Sequence, residues 1–141
     1  MKLKLKLLNK NAKIPCYAHE GDSGMDVFAT KHDYIPCRRN VLVGTGIAAE
    51  IPEGYELQVR PRSGLTKRGV LAAFGTVDAG YRGEIMVNLF NINFFEDYLV
   101  QPGDRIAQLV LAPVTHAEIE QVEEIETNTE RGTDGFGSTG R

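Results

Sequence analysis

Turn-forming residues punctuate this chain at intervals of roughly ten residues, and that rhythm restricts the fold more than any other feature. Pro15, Gly21, Pro36, Gly44-Thr45-Gly46, Pro52-Glu53-Gly54 and Pro61 each break the chain. Between them lie short β-prone runs such as Val41-Leu42-Val43 and Ile47-Ala48-Ala49. Tyr55 to Arg60 alternates apolar with polar residues, as a strand with one buried face does. Leu3, Leu5 and Leu7 alternate with lysines, which also guard a sheet edge against unwanted pairing. The pattern predicts an all-β sandwich or barrel rather than βαβ units. Two segments compete with it. Leu65 to Val70 is polar and short, enough for a turn or two of helix. In Ala117 to Glu126, Ile119, Val122 and Ile125 fall at helical spacing. However, Pro113 ends the run before it and no capping glycine follows Glu126, so a strand is expected there.

At 141 residues, one domain suffices, and it buries roughly two thirds of the surface its unfolded chain exposes. Net charge is −3, with Lys and Arg scattered except at Arg38-Arg39 and Lys67-Arg68. That excludes a nucleic-acid-coating protein, whose basic residues gather on one face, but leaves room for a few arginines around one phosphorylated small molecule. Cys16 and Cys37 lie far apart and outside any CxxC spacing, which reads as a reduced, intracellular chain. The lysine-leucine alternation at the start is no signal peptide, and no apolar run approaches membrane-spanning length, so the expected location is the cytoplasm. His19, His32 and His116 have no zinc-ligand spacing. From Thr127 onward glycine, serine and threonine dominate and a lone Phe136 cannot build a core. The expected division is therefore a β-domain over 1–126 and a C-terminal arm over 127–141 that is mobile when empty.

Chemistry concentrates in a few stretches. Gly75-Thr76-Val77-Asp78-Ala79-Gly80-Tyr81-Arg82-Gly83-Glu84 packs acids, an aromatic and three glycines between two extended runs. It reads as a β-hairpin whose tip holds a carboxylate and a tyrosine, with glycines that let a ligand approach the backbone. Arg62-Ser63-Gly64 follows a proline-set turn and offers a guanidinium, a hydroxyl and an unencumbered amide. In Gly103 to Val110, Gln108 sits inside an apolar run and needs a hydrogen-bond partner. Gly135 to Gly140 matches the GxGxxG dinucleotide pattern, but that fingerprint needs a strand before it and a helix after it, and here Arg141 follows directly. The arm's glycine amides, Ser138, Thr139 and Arg131 are nevertheless good phosphate donors. There is no GxxxxGK[ST], no GxSxG and no Ser-His-Asp arrangement.

Ser23-Gly24-Met25-Asp26, Pro61 to Leu65, Gly75 to Glu84, Gly103 to Val110 and Arg131 to Gly140 together resemble the five ordered motifs of the trimeric dUTP pyrophosphatases. The resemblance spans nearly the whole chain. It implies a jelly-roll-like β fold, a homotrimer with active sites shared between subunits, and a C-terminal arm that closes over the substrate. The implied reaction is Mg²⁺-assisted hydrolysis of dUTP to dUMP and pyrophosphate, which keeps uracil out of DNA and supplies dUMP for dTMP synthesis. By the same resemblance Asp78 is the acid that orients and deprotonates the attacking water. Tyr81 packs on deoxyribose and leaves no room for a 2′-hydroxyl. Backbone groups of Gly75, Thr76 and Val77 read the uracil edge. Arg62, Ser63, Gly64 and Gln108 match phosphate-contacting positions, and Arg131, Phe136, Gly137 and Ser138 match the arm, with Phe136 stacking on uracil. Asp26 matches the aspartate that organises the Mg²⁺ shell through water, and Met86 a position near the substrate.

The segment Thr66 to Phe74 is shorter than the family's usual one and lacks the Asn that commonly precedes the third motif, so base contact falls to the backbone. Two other readings share parts of the pattern. A dCTP deaminase-like enzyme has the same fold but not the Asp-Ala-Gly-Tyr-Arg-Gly tip. A non-enzymatic deoxynucleotide-binding β-module would be expected to lack the acid or the arm. The arm yields a direct expectation: Phe136→Ala weakens uracil-nucleotide binding by roughly 1–3 kcal/mol, the usual worth of base stacking. Kinetics unchanged after truncation at Glu130 would reduce the arm to a loose end.

Overall fold

The computed structural model describes residues 1–140. It contains eleven strands and one short helix, in the order β1 (Lys4–Leu7), β2 (Met25–Phe28), β3 (Asp33–Ile35), β4 (Arg39–Gly44), β5 (Ile47–Glu50), β6 (Tyr55–Arg60), α1 (Ser63–Lys67), β7 (Val70–Ala72), β8 (Gly75–Val77), β9 (Met86–Asn91), β10 (Tyr98–Val100) and β11 (Arg105–Pro113). A four-stranded antiparallel sheet runs β2-β11-β6-β8 and a three-stranded one runs β4-β9-β7. Two ribbons, β1-β5 and β10-β3, complete the shell. The architecture is all-β, as the turn rhythm predicts, and jelly-roll-like, as the resemblance implies.

Alternation explains how the layers close. In β6, Leu57 and Val59 point into the core while Glu56 and Gln58 remain half-exposed. In β9, Val87, Leu89 and Asn91 are buried and Phe90 faces outward. Leu57, Ile85, Leu89 and Leu109 are among the largest fully buried side chains, each contributing about 1.5–3 kcal/mol. Pro61 has no N–H to extend the β6 ladder, and the chain turns there into α1, which Leu65 anchors by its burial.

Two expectations differ from what is observed. Gly75 to Glu84 is not the tip of a hairpin: β8 pairs with β6 in one sheet, whereas β9 pairs with β4 and β7 in the other. The residues between Val77 and Met86 therefore cross between sheets. Periodicity identifies extended runs on both sides of a turn but says nothing about which strand each will pair with. Ala117 to Glu126 is not a strand; it runs without regular structure, and Ile119 is 94% exposed. Its apolar residues find no cover within their own chain among the described residues.

At the β3–β10 ribbon, the Tyr34 hydroxyl donates to Asp97, and the Cys37 N–H donates to the same carboxylate at 2.8 Å. The Tyr34 hydrogen bond, with the Cys37 amide second, holds the Asp97 carboxyl below its ordinary value. A depressed folded-state value gives stability that is present above the unfolded value near about 4 and lost as pH falls through the folded one. Urea unfolding should therefore show Tyr34→Phe less stable than the parent at pH 7. The gap, small because both groups are exposed, should close in strong acid.

Candidate active site

Asp78 and Tyr81 sit on the segment that crosses between the sheets. Thr76, Val77, Asp78, Tyr81 and Met86 border one cavity of about 250 Å³, together with Glu84 and Ile85. Asp78 is exposed, and its carbonyl accepts the Tyr81 N–H at 3.0 Å, making a tight turn. The Tyr81 hydroxyl donates to the Glu84 carbonyl at 2.9 Å, which spends the polar end of a residue that is 46% exposed. Gly83 permits this pose, since a Cβ there would stand 2.4 Å from the Tyr81 hydroxyl oxygen. Gly75, Thr76 and Val77 form β8, which has β6 on one side only. Its other side is an open edge, where backbone N–H and C=O groups are available to a ligand.

A second group gathers around Asp26. Arg62 Nε donates to Asp26 Oδ1 at 2.9 Å, and Arg105 Nε pairs with Oδ2 as an ion pair at 3.0 Å, so each carboxylate oxygen faces a guanidinium group. Gln108 stands opposite both Asp26 and Arg60 in the sheet, and its Nε2 donates to the Pro61 carbonyl at 3.1 Å. That is the partner its apolar setting requires. Its Oε1 lies against Gly24, where a Cβ would be only 2.3 Å away. Arg62, Gly64, Arg68 and Arg105 border a cavity of about 380 Å³, while Ser63 is exposed at the start of α1. Arg105 is one of the polar residues of the Gly103 to Val110 stretch, but the sequence assigns it no place in the site. A register shift between Arg105 and Ala107 carries it beside Asp26, and such a bulge re-aims one side chain without a compositional signal.

The arm residues keep to themselves. Arg131 Nε donates to the Asp134 carbonyl at 2.9 Å, and Arg131 and Ser138 border a cavity formed within the arm. Phe136 is fully exposed with φ of 49°, next to Gly137 at φ of 87°. None of the described residues borders more than one of these three cavities.

Register explains the separation of the first two groups. Val77 faces Leu57 and Gly75 faces Val59, so β8 delivers Asp78 toward the start of β6, whereas Arg62 follows its end. By strand rise the two lie on the order of 20 Å apart. As for a metal, no three His, Cys, Asp or Glu side chains converge among the described residues. Asp26 keeps spare lone pairs after its two arginine contacts. This donor set fits a cation that arrives on a polyphosphate and retains its waters, not one caged by the protein.

The dUTPase family model matches residues 10–140. The deoxyuridine 5'-triphosphate nucleotidohydrolase of Picosynechococcus is 51% identical, covering 99% of this chain and 99% of the relative. The dUTPase of Staphylococcus bacteriophage 80alpha, solved with dUPNHPP, is 34% identical with a TM-score of 0.93 and covers 99% of each chain. A variant dUTPase from phage phi11 of S. aureus, whose structure concerns the coordination of a structural Mg(II) ion, is 28% identical with a TM-score of 0.84, over 88% of this chain and 98% of that one.

The clamp on Asp26 can be measured. Asp26→Asn should lower the unfolding free energy by about 1.5–3 kcal/mol, the worth of hydrogen bonds to a charged group. A loss under about 0.5 kcal/mol in urea titration, the size of an ordinary surface substitution, would mean that the arginines hold their places without it.

Proposed function

The chain belongs to the dUTPase family, and from that premise we propose how its residues hydrolyse dUTP to dUMP and pyrophosphate. Asp78 is the general base. It takes a proton from a water whose oxygen bonds to the α-phosphorus, while the bond from that phosphorus to the α–β bridging oxygen breaks and pyrophosphate leaves. A positioned base of this kind contributes typically 10²–10⁴-fold, or roughly 3–5.5 kcal/mol of barrier. The observation that carries the reading is the placement of Asp78 and Tyr81 on one cavity, beside the open edge of β8.

Uracil meets the backbone of Gly75, Thr76 and Val77. A thymine methyl group clashes with a backbone edge held this closely, which discriminates better than an apolar pocket does. The exposed Tyr81 ring covers the deoxyribose and leaves a 2′-hydroxyl without room. Met86, half-buried opposite Gly44, lies at the floor near the sugar. Arg62, Ser63, Gly64 and Gln108 take the phosphates, and the arm over 127–141 closes with Arg131, Gly137 and Ser138 on phosphate oxygens and Phe136 on the base. When bound, magnesium would supply charge neutralisation on the triphosphate, and Asp26 would help to hold it through water.

The distance between Asp78 and Arg62 supports a homotrimer in which one copy supplies Asp78 and Tyr81 and a neighbour supplies Arg62 and Gln108. The exposed apolar residues Ile119, Val122 and Ile125 support the same assembly, because a neighbouring copy offers them cover. Among the described residues no helix is long and apolar enough to cross a membrane. The free thiols of Cys16 and Cys37 suit a cytoplasmic location.

Mixing two dead variants tests the reading. Asp78→Asn should keep nucleotide binding and lose at least about 10²-fold in turnover, and Arg62→Ala should lose phosphate binding. Trimers reassembled from equal amounts of both should recover about a quarter of the wild-type sites, because one neighbour pair in four then carries both intact residues. Mixed trimers as inactive as either parent would place both residues in one subunit's site. Near-normal turnover of Asp78→Asn alone would remove it from the base role.

A further inference from the structure

The segment from Asp78 to Ile85 has no ladder of its own, yet it carries the residues whose placement matters most. Its far end is tied by three hydrogen bonds to the turn between β4 and β5 and to Ile47, the first residue of β5. The Gly46 N–H donates to Glu84 Oε1 at 2.7 Å. The Thr45 hydroxyl, on a wholly buried residue, donates to the Ile85 carbonyl at 2.6 Å. The Ile85 N–H donates to the Ile47 carbonyl at 2.8 Å. From there the connection continues inward, through the Tyr81 hydroxyl on the Glu84 carbonyl and the Tyr81 N–H on the Asp78 carbonyl. Gly44 leaves room for this arrangement, since a Cβ there would lie 2.8 Å from Glu84 Oε1.

We propose that Glu84 is a positioning residue for hydrolysis. Its side chain, with the Thr45 hydroxyl, latches the crossing segment to the β4–β5 turn and so sets where the Asp78 carboxylate stands. The inference rests on the role proposed above for Asp78. Glu84 acts through the backbone and Tyr81, and the requirement it meets is an acceptor for one N–H, not a charge. Glutamine can satisfy that requirement and alanine cannot. The nucleotide's phosphates are held by other elements, so a loosened latch displaces the base more than it weakens binding. A misplacement of about 1 Å at a reacting group costs on the order of 10²-fold in rate.

The test compares Glu84→Ala, Glu84→Gln, Thr45→Val and Gly44→Ala in the full trimer, by steady-state hydrolysis of dUTP and by amide hydrogen exchange. Glu84→Ala and Gly44→Ala should lower kcat roughly 10–100-fold, with KM within about threefold of the parent. Glu84→Gln should stay within about threefold in both, and combining Thr45→Val with Glu84→Ala should cost less than the two separate losses together. Amides of 78–85 should exchange at least about tenfold faster in Glu84→Ala, while those of β11 are unchanged. Full kcat with unchanged exchange in Glu84→Ala and Gly44→Ala would overturn the latch. A loss in Glu84→Gln as large as in Glu84→Ala would also overturn it, because charge would then be the requirement. Gly44→Ala removes no polar group and only crowds the flexible end of Glu84, so it decides the matter if Glu84→Ala fails to fold. Exchange is read without substrate, so an absence of dUTP hydrolysis by the parent would count against Asp78 as base and leave the latch to be judged separately.

Discussion

Much of this structure follows from one topological constraint: the chain must leave the edge of one sheet after Val77 and enter the middle of the other at Met86. No ladder can stabilise the residues in between, so side chains and a neighbouring turn hold them. The glycines there are part of that solution. Gly83 gives the Tyr81 ring its place and Gly44 gives the Glu84 carboxylate its place. The crossing also leaves β8 with a free edge beside an exposed carboxylate and an exposed aromatic face. A pyrimidine nucleotide needs those three features together: hydrogen-bonding groups for the base, a surface for the sugar and a base for the water.

The same sheet that presents Asp78 carries the arginines away from it. β6 and β8 run antiparallel, so whatever follows one strand's end lies near the other's beginning. Asp26 then fixes Arg62 and Arg105 at the far end, each on its own carboxylate oxygen. In the proposed trimer these two groups are half-sites, and the interface between copies joins them. The arm fits this economy, since none of its described residues borders either of the two cavities.

Much of the fold was legible in the sequence because its signals are local. Proline and glycine at regular spacing marked the turns, alternation marked Tyr55 to Arg60, and the polar run from Leu65 to Val70 overlapped the brief helix, which begins two residues earlier and ends before Val70. The need of Gln108 for a partner could be read from its apolar neighbours, and the Pro61 carbonyl meets it. What could not be read is pairing. Gly75 to Glu84 resembles a hairpin because both flanks favour extension, and only the register of β6 and β4 decides otherwise. Ala117 to Glu126 failed for a related reason: its isoleucines and valine signal burial, but nothing among the described residues of one chain supplies the cover. Arg105 owes its place to a bulge, and Glu84 owes its role to a turn distant in sequence.

The central claim is that a water activated at Asp78 attacks the α-phosphorus. Hydrolysis in ¹⁸O-labelled water tests it most directly, because the labelled oxygen stays on whichever phosphorus is attacked. The account predicts the label in the phosphate of dUMP, with none in pyrophosphate. Label in pyrophosphate would move the attack to the β-phosphorus and contradict it.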